Sequence, residues 1–213
     1  MYTLYWGTRT GAFIPDAILA EMGQPITRIK VKRTDGRVDD PAFEAISPMK
    51  QIPVLLFPDG SAVSESLAIA LALVERLLDP PLLPPVGSSA RAEAYRWLMH
   101  MYFNVYESDL RYSYADRYTT ASDGVEGVKA AAVERWDRAF AVIEEAASDE
   151  EWFSGHQFSL IDICIAPMVC WHYDTEGLLA RHPKLAEICK RVRDRPALKP
   201  LFTLYRLPEL DGL

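Results

Sequence analysis

The sequence predicts an α/β N-terminal domain followed by an all-α C-terminal domain. Strand and helix patterns alternate as β-α-β and then β-β-α up to about residue 80, whereas only helical patterns follow. A proline-rich run from Asp79 to Ser89 separates the two parts, as a stiff linker does. We therefore expect domains at residues 1–80 and 90–213, joined by a linker at 81–89.

The first half opens on a short apolar strand, Leu4 to Trp6. A turn leads into a helix predicted from Phe13 to Met22, which ends at Gly23. Alternating polar and apolar residues from Thr27 to Val31 predict a half-buried second strand. Because two strands joined by a helix need a crossover, we expect this pair to be parallel.

The rest of the first half reads as a hairpin and a helix. The polar segment 35–47 predicts a loop with a short helix near 41–46. The elements expected after it are a strand at Pro53–Phe57, a turn at Pro58–Ser61, a short return strand at Ala62–Val63, and a buried helix at Ser66–Leu78.

The second half carries helical patterns throughout. Helices are predicted at Ala90–Tyr118, Gly124–Ala147, Leu160–Trp171 and Lys184–Arg193. Ser159 and Asp162 are spaced as a capping box at the start of the third of these helices. We interpret that pair as structural.

Composition excludes several classes of function. The net charge of −7 argues against a nucleic-acid partner, which would call for a basic surface. No apolar run approaches the roughly 18 residues of a membrane span, and the N-terminus lacks a signal-peptide pattern. The three cysteines, at 164, 170 and 189, are too few for a disulfide scaffold and are not spaced as a zinc site. We expect a cytoplasmic protein without a metal.

Several motifs, in order along nearly the whole chain, resemble the cytosolic glutathione S-transferase superfamily. They are Ser47–Leu55 (SPMKQIPVL), Ser64–Ile69 (SESLAI), Phe153–Pro167 (FSGHQFSLIDICIAP) and Arg195–Leu198 (RPAL). The resemblance implies a thioredoxin-like N-terminal domain that binds glutathione and a helical C-terminal domain that forms a hydrophobic substrate pocket.

The resemblance also implies a set of glutathione contacts. Pro53 would be a cis proline that turns the backbone N–H and C=O of Ile52 outward, towards the cysteinyl part of glutathione. Glu65 would hold the γ-glutamyl ammonium, and Ser66, at a helix N-terminus, its carboxylate. Gln51, with Lys50 as the weaker candidate, would reach the rest of the tripeptide. Taken alone, Pro53 is also compatible with an ordinary strand start.

The residue that would activate the thiol is left open. Many classes of the family place a Ser or Cys after the first strand, and others a Tyr at its end. Here the turn reads Tyr5-Trp6-Gly7-Thr8-Arg9-Thr10 and contains neither Ser nor Cys. We rank Thr8 and Thr10 equal and Tyr5 third. Thr10 is equally compatible with a helix cap, and Tyr5 with packing.

For the electrophile we expect a pocket between the domains, lined by aromatic residues of the first C-terminal helix. Tyrosines suit such a pocket because they combine an apolar ring with a donor. The candidates are Tyr102, Tyr106, Tyr112 and Tyr114. Packing between helices or in a dimer accounts for each of them equally well.

The expected function is that of a homodimeric glutathione transferase acting on a small hydrophobic electrophile. Two alternatives remain. One is a noncatalytic glutathione-binding or assembly module of the same fold, which the unusual turn keeps open. The other is glutathione-dependent cleavage of an ether or a disulfide.

Overall fold

The computed structural model describes residues 1–34 and 36–208, which form two compact units. Of the described residues, one unit comprises Met1–Leu82 and 192–208, and the other comprises Leu83–Arg191. The division at 1–80, 81–89 and 90–213 stays a prediction. The last helical segment clusters with the first unit although it follows the helical unit in the chain.

The first unit is built on a four-stranded mixed sheet with the order β2-β1-β5-β6. Its elements are β1 (Tyr2–Trp6), α1 (Phe13–Glu21), β2 (Ile26–Lys30), β3 (Arg33–Thr34), β4 (Arg37–Val38), α2 (Pro41–Glu44), β5 (Val54–Leu56), β6 (Ala62–Ser64), α3 (Ser66–Arg76) and α10 (Lys199–Tyr205). β1 pairs with β2 in parallel, as the strand–helix–strand order predicts, and β5 is antiparallel to β1 and β6.

The two faces of β1 pack differently. Tyr2, Leu4 and Trp6 are buried, whereas the alternate residues are only partly buried. α1 contacts α3 and α10. On one face Tyr5 joins a small apolar cluster formed by Val38, Phe43 and Val54.

A buried ionic network ties α10 to α1. The Asp16 carboxylate is fully buried and accepts two hydrogen bonds from Arg28, at 2.8 and 2.7 Å. The Tyr205 hydroxyl lies 3.0 Å from Asp16 Oδ2 and 3.1 Å from the Ala12 carbonyl, and its one proton can serve either acceptor. Burial next to Asp16 raises the pKa of Tyr205 well above its usual range. The phenol therefore stays a donor.

One hairpin was not expected. β3 and β4 pair as a two-residue antiparallel ladder, with β4 inside the segment 35–47 predicted to be a loop and β3 directly before it. Its side chains are polar or charged apart from Val38, so no apolar alternation marks it in the sequence. The helix that follows was expected, and Asp40 caps it by accepting the Ala42 N–H at 2.9 Å.

The second unit is helical. It contains α4 (Ser89–His100), a π-helical segment (Met101–Tyr106), α5 (Glu107–Ser113), a 3₁₀ turn (Ala115–Arg117), α6 (Val125–Ala146), α7 (Leu160–Trp171) and α8 (Thr175–Arg181), and α9 (Pro183–Asp194) runs from it into the first unit. α8 and α10 were not predicted. Within the described residues, no helix is both long and apolar enough to cross a membrane.

α7 is the buried helix of this unit, since all twelve of its residues are buried. The expected capping box is confirmed: Ser159 Oγ accepts the Ile161 N–H, and Asp162 Oδ2 accepts the Ser159 N–H at 2.9 Å. Asp162 Oδ1 also accepts the Phe153 N–H at 2.8 Å. Burial raises the pKa of Asp162 to about 6, although these bonds favour its ionised form.

The first long helix of the unit is less regular than the sequence predicts. Instead of running to Tyr118 it ends at Ser113, and it widens into a π-helical segment in its middle. Arg135 donates to the Phe103 carbonyl at 3.0 Å and to Asn104 Oδ1 at 2.9 Å, so it serves polar groups of that segment. π-helical segments often occur at functional sites.

Candidate active site

Three strand ends lie side by side at one edge of the sheet in the first unit. Because β5 is antiparallel to both of its neighbours, the end of β1, the start of β5 and the end of β6 meet there. Continuing the observed register by one or two residues places Gly7 beside Ile52 and Pro53 beside Glu65. A Cβ at Gly7 would lie 3.1 Å from Ile52 Cδ1, which confirms how close the first two ends are. We call this region, residues 7–8, 52–53 and 65–66, the strand-end site.

The Ile52–Pro53 peptide bond is cis. Ile52 precedes β5, and its side chain packs against the apolar cluster beneath Tyr5. Within residues 1–34 and 36–208, neither the N–H nor the C=O of Ile52 makes a hydrogen bond. The sheet thus ends in one donor and one acceptor that an extended ligand can pair with.

Glu65 occupies a backbone conformation that side-chain-bearing residues rarely adopt, with φ 67° and ψ 113°. Such a conformation costs about 1–3 kcal/mol and persists only where the surroundings enforce it. Its carboxylate is exposed and has no ion-pair partner in the described part of the chain. Ser66 follows as the first residue of α3 and is buried. A free carboxylate therefore stands at the N-terminus of α3.

The loop before Ile52 is held by Ser47. This buried residue donates to the Gln51 carbonyl at 2.9 Å and accepts the Gln51 N–H at 3.1 Å. The exposed Gln51 side chain is left available. Lys50, by contrast, forms a salt bridge with Glu44 at 3.0 Å, so its ammonium already has a partner.

The three hydroxyls proposed to activate a thiol lie in different surroundings. Thr10 is buried, and its hydroxyl donates to the Gly7 carbonyl at 2.8 Å. Tyr5 packs its ring edge-on against Phe43, with centroids 5.4 Å apart. Thr8 is half-buried in the strand-end site, and no described residue hydrogen-bonds its hydroxyl. This geometry favours Thr8.

Arg33 is the residue that sequence reasoning missed. Its Nη2 donates to the Thr8 carbonyl at 3.4 Å, and its Nε lies 3.4 Å from where a Cβ of Gly7 would be. A single arginine in a polar segment carries no signal of such a placement, because the β3–β4 hairpin alone brings it to the turn after β1.

The C-terminal segment supports the same turn. The Arg9 N–H donates to the Tyr205 carbonyl at 3.1 Å, and the Trp6 and Tyr205 rings are in contact. Arg9 has φ 53°, a left-handed conformation. The turn that carries Thr8 is thus held partly by α10, from the other end of the chain.

The four tyrosines proposed for the electrophile pocket lie in the second unit and fall into separate groups. Tyr102 and Tyr106, on the π-helical segment, are in edge-on contact, and Tyr106 also stacks on Trp171. Tyr112 instead contacts Tyr173. Tyr114 lies under the guanidinium of a neighbouring arginine, Arg117, at 4.1 Å.

Within residues 1–34 and 36–208, no three His, Cys, Asp or Glu side chains are arranged as a metal site. The cysteines at 164, 170 and 189 are buried, and none of them forms a disulfide bond within the described residues. Burial raises the pKa values of the Cys164 and Cys189 thiols well above the ordinary range of a cysteine. These two thiols are poorly suited to act as nucleophiles.

Two family models match the chain. The model of the glutathione S-transferase N-terminal domain covers residues 15–76, and that of the C-terminal domain covers residues 99–196. Together they include the motifs around Pro53 and Ser159. The start of α1 and the turn with Thr8 and Thr10 lie outside both matches.

Curated relatives and solved structures agree with these models. Glutathione S-transferase GstA of Escherichia coli O157:H7 is 26% identical over 182 residues, 85% of this chain and 87% of that protein. A probable maleylacetoacetate isomerase of Vibrio cholerae is 29% identical over 181 residues, 79% of each chain. A glutathione transferase homologue from Sulfitobacter, solved with bound glutathione, has a TM-score of 0.85 at 18% identity and covers 96% of this chain and 98% of its own.

The structural likeness confirms the predicted fold, a thioredoxin-like domain followed by an all-α domain. The matches of both family models, in the expected order and together spanning most of the chain, add the family to the fold. The chain belongs to the glutathione S-transferase superfamily.

Proposed function

We propose that this protein is a glutathione transferase, which binds glutathione at the strand-end site and directs its thiolate onto a hydrophobic electrophile. The observation that carries the proposal is the unpaired backbone N–H and C=O of Ile52 beside the exposed, conformationally restrained Glu65. An extended peptide can pair with such a strand edge. Family membership and the glutathione bound in the Sulfitobacter homologue support the same ligand.

Each end of the tripeptide has a proposed partner. The Glu65 carboxylate would hold the γ-glutamyl ammonium, and the N-terminus of α3 at Ser66 would hold the adjacent carboxylate. Ile52 would pair with the cysteinyl backbone, which leaves the thiol facing the turn at Thr8. Gln51 is proposed for the remaining part, whereas Lys50 is a weaker candidate because Glu44 already pairs with it.

The chemistry needs a thiolate, and a free thiol has a pKa of about 8.5. A hydrogen bond that the Thr8 hydroxyl donates to the sulfur favours the ionised form of the thiol and lowers its pKa. With an aryl halide such as chlorodinitrobenzene, the sulfur bonds to the ring carbon, chloride leaves with the electron pair, and the thiol proton passes to solvent. Holding both reactants together supplies much of the rate gain.

Replacing Glu65 by Gln tests the binding part. Because one charge-assisted contact is lost, we expect the affinity for glutathione to fall about 10- to 100-fold. Isothermal titration of the wild type and the variant measures this. Asp59→Asn, an exposed carboxylate in the turn at the opposite end of β5 and β6, is the matched control and should bind normally. Absence of glutathione binding by the wild type would contradict the proposal.

Replacing the three hydroxyls one at a time assigns the activator. We expect Thr8→Val to raise the pKa of the bound thiol by about one unit, since it removes the donor and keeps the shape. Thr10→Val and Tyr5→Phe should change that pKa much less, because the Thr10 hydroxyl already donates to the Gly7 carbonyl and the Tyr5 ring packs edge-on against Phe43. The ultraviolet absorbance of the thiolate, followed against pH, gives all three values. A larger shift in Thr10→Val than in Thr8→Val would reject this assignment.

A noncatalytic glutathione-binding module is the second candidate. It is favoured by the engagement of Thr10 with Gly7, which leaves fewer donors for a thiol than the turn first suggests. Tight glutathione binding with turnover of chlorodinitrobenzene at the uncatalysed rate would support it. The substrate panel should include maleylacetoacetate, which the name of the Vibrio relative indicates, together with thioether-forming and disulfide substrates.

The electrophile contacts remain a proposal. Tyr102 and Tyr106 are the stronger pair, because the π-helical segment presents them together with Trp171. Tyr112 and Tyr114 make contacts elsewhere in the unit. We also propose that the protein is a cytoplasmic homodimer, as is typical of the family.

A further inference from the structure

A guanidinium lies against the turn at which the thiol is proposed to be held. Arg33 Nη2 donates to the Thr8 carbonyl at 3.4 Å, and Arg33 Nε and Cζ lie 3.4 and 3.6 Å from the position of a Cβ at Gly7. Ile52 Cδ1 approaches the same position to 3.1 Å. A Cβ at residue 7 would be tight against Ile52 and in ordinary contact with Arg33, so the glycine lets both side chains approach the backbone closely.

Arg33 carries a partly buried positive charge. The side chain is half-buried, and in the described part of the chain it forms no ion pair with a carboxylate. Among the described residues, Arg33 donates one hydrogen bond, the long contact with the Thr8 carbonyl. A partly desolvated guanidinium with most of its donors unused favours an anion nearby.

The other charged residues around the strand-end site lie in different surroundings. Asp16, on α1, is paired with Arg28, and Lys30 lies over the Trp6 ring at 5.5 Å. Arg9 is exposed on the same turn. Glu65 stands at the end of β6, two strands away from β1, and adjacent strands are about 4.8 Å apart. Glu65 would bind the γ-glutamyl end, so Arg33 lies at the cysteinyl side.

We propose that Arg33 stabilises the thiolate of bound glutathione electrostatically, together with the hydroxyl of Thr8. The proposal rests on the proposed glutathione site and adds to it a half-buried guanidinium packed against the turn, besides the exposed Arg9 that the turn itself carries. A cation within a few ångströms favours the ionised form of a thiol, so the bound pKa falls. Arg33 thus compensates in part for the missing Ser or Cys of the turn.

Arg33→Gln tests this role. We expect the pKa of the bound thiol to rise by about one unit, which is a tenfold loss of thiolate below that pKa. The affinity for S-methylglutathione, which has no ionisable thiol, should change less than about threefold. Arg33→Lys keeps the charge and should retain part of the lowered pKa. Lys32→Gln makes the same charge change on the exposed neighbouring residue and should leave the pKa at the wild-type value.

The two measurements separate the possible roles. An unchanged thiol pKa with weaker binding of S-methylglutathione would overturn the proposal, since Arg33 would then hold a carboxylate of the tripeptide. A pKa that rises equally in Lys32→Gln would also overturn it. Wild type that binds no S-methylglutathione would contradict the glutathione site itself. If Arg33→Gln does not fold, Arg33→Lys decides: a pKa between the wild-type value and that of free glutathione supports the proposal, and one equal to free glutathione rejects it.

Discussion

Asp162→Ala should lower the free energy of unfolding by about 3–5 kcal/mol, because it strands buried N–H groups at the start of α7. The Phe153 and Ser159 N–H groups both donate to this carboxylate, and the Ser159 hydroxyl lies 2.8 Å from it. Every residue of α7 is buried, so water cannot readily replace the lost acceptor. Urea unfolding followed by circular dichroism measures the loss.

The loss of unfolding free energy in Asp162→Ala should also depend on pH, and the burial of Asp162 sets the direction of that dependence. Burial raises the pKa of Asp162 to about 6 in the folded protein, above an ordinary value of 3.8. The folded state therefore binds the proton more tightly, and the stability contributed by this group is lost as pH rises through 6. The destabilisation by Asp162→Ala should thus be about 2 kcal/mol greater at pH 4.5 than at pH 7.5.

Ser88→Ala is the matched control for Asp162→Ala. Ser88 caps α4 by accepting the Arg91 N–H at 3.1 Å, and it does not titrate. Its replacement should cost about 1 kcal/mol at both pH values. An Asp162→Ala loss no larger than this, or one that grows as pH rises, would contradict the burial argument.

Asp16→Ala should cost about 3–5 kcal/mol, because it leaves the Arg28 guanidinium without its carboxylate and the buried Tyr205 hydroxyl with the Ala12 carbonyl alone as acceptor. Asp16 is fully buried, whereas the Arg28 side chain is 32% exposed. That exposure lets water reach part of the guanidinium, so the loss should come nearer the lower end of the range. The same urea titration measures it.

The control for Asp16→Ala is an exposed ion pair of comparable length. Glu126 lies 2.9 Å from Lys129 with 81% of its side chain exposed. Glu126→Ala should cost less than about 0.5 kcal/mol, since water screens the pair. Equal losses in the two variants would show that the Asp16 network contributes no more than a surface pair.

Local patterns sufficed for most of the fold. Alternation identified β2, an apolar run identified β5, and Gly23, with φ 61°, ends α1 where the sequence placed its end. These features rest on interactions between residues close in the chain, or on the backbone freedom of one residue type. The short strands β3 and β4 were not predicted, because only Val38 of their four residues is apolar and one apolar residue gives no alternating pattern.

The candidate site likewise contains residues that local motifs predict and residues that only contacts between distant segments distinguish. Ile52, Pro53, Glu65 and Ser66 lie within short motifs, so the sequence by itself identified the family and predicted which residues bind glutathione. It could not choose among Thr8, Thr10 and Tyr5, because what distinguishes them is the hydrogen bond from the Thr10 hydroxyl to Gly7 and the packing of the Tyr5 ring on Phe43.

Only the tertiary structure brought Arg33 to Gly7 and the Tyr205 carbonyl to the Arg9 N–H. These contacts join residues about 25 and 200 positions apart, and no periodicity or spacing records them. The physical reason is that a motif encodes the backbone shape around itself, whereas the charge that reaches that backbone depends on how distant segments pack. The sequence alone therefore determined the proposed ligand, and the packing around the turn decides which groups can ionise its thiol.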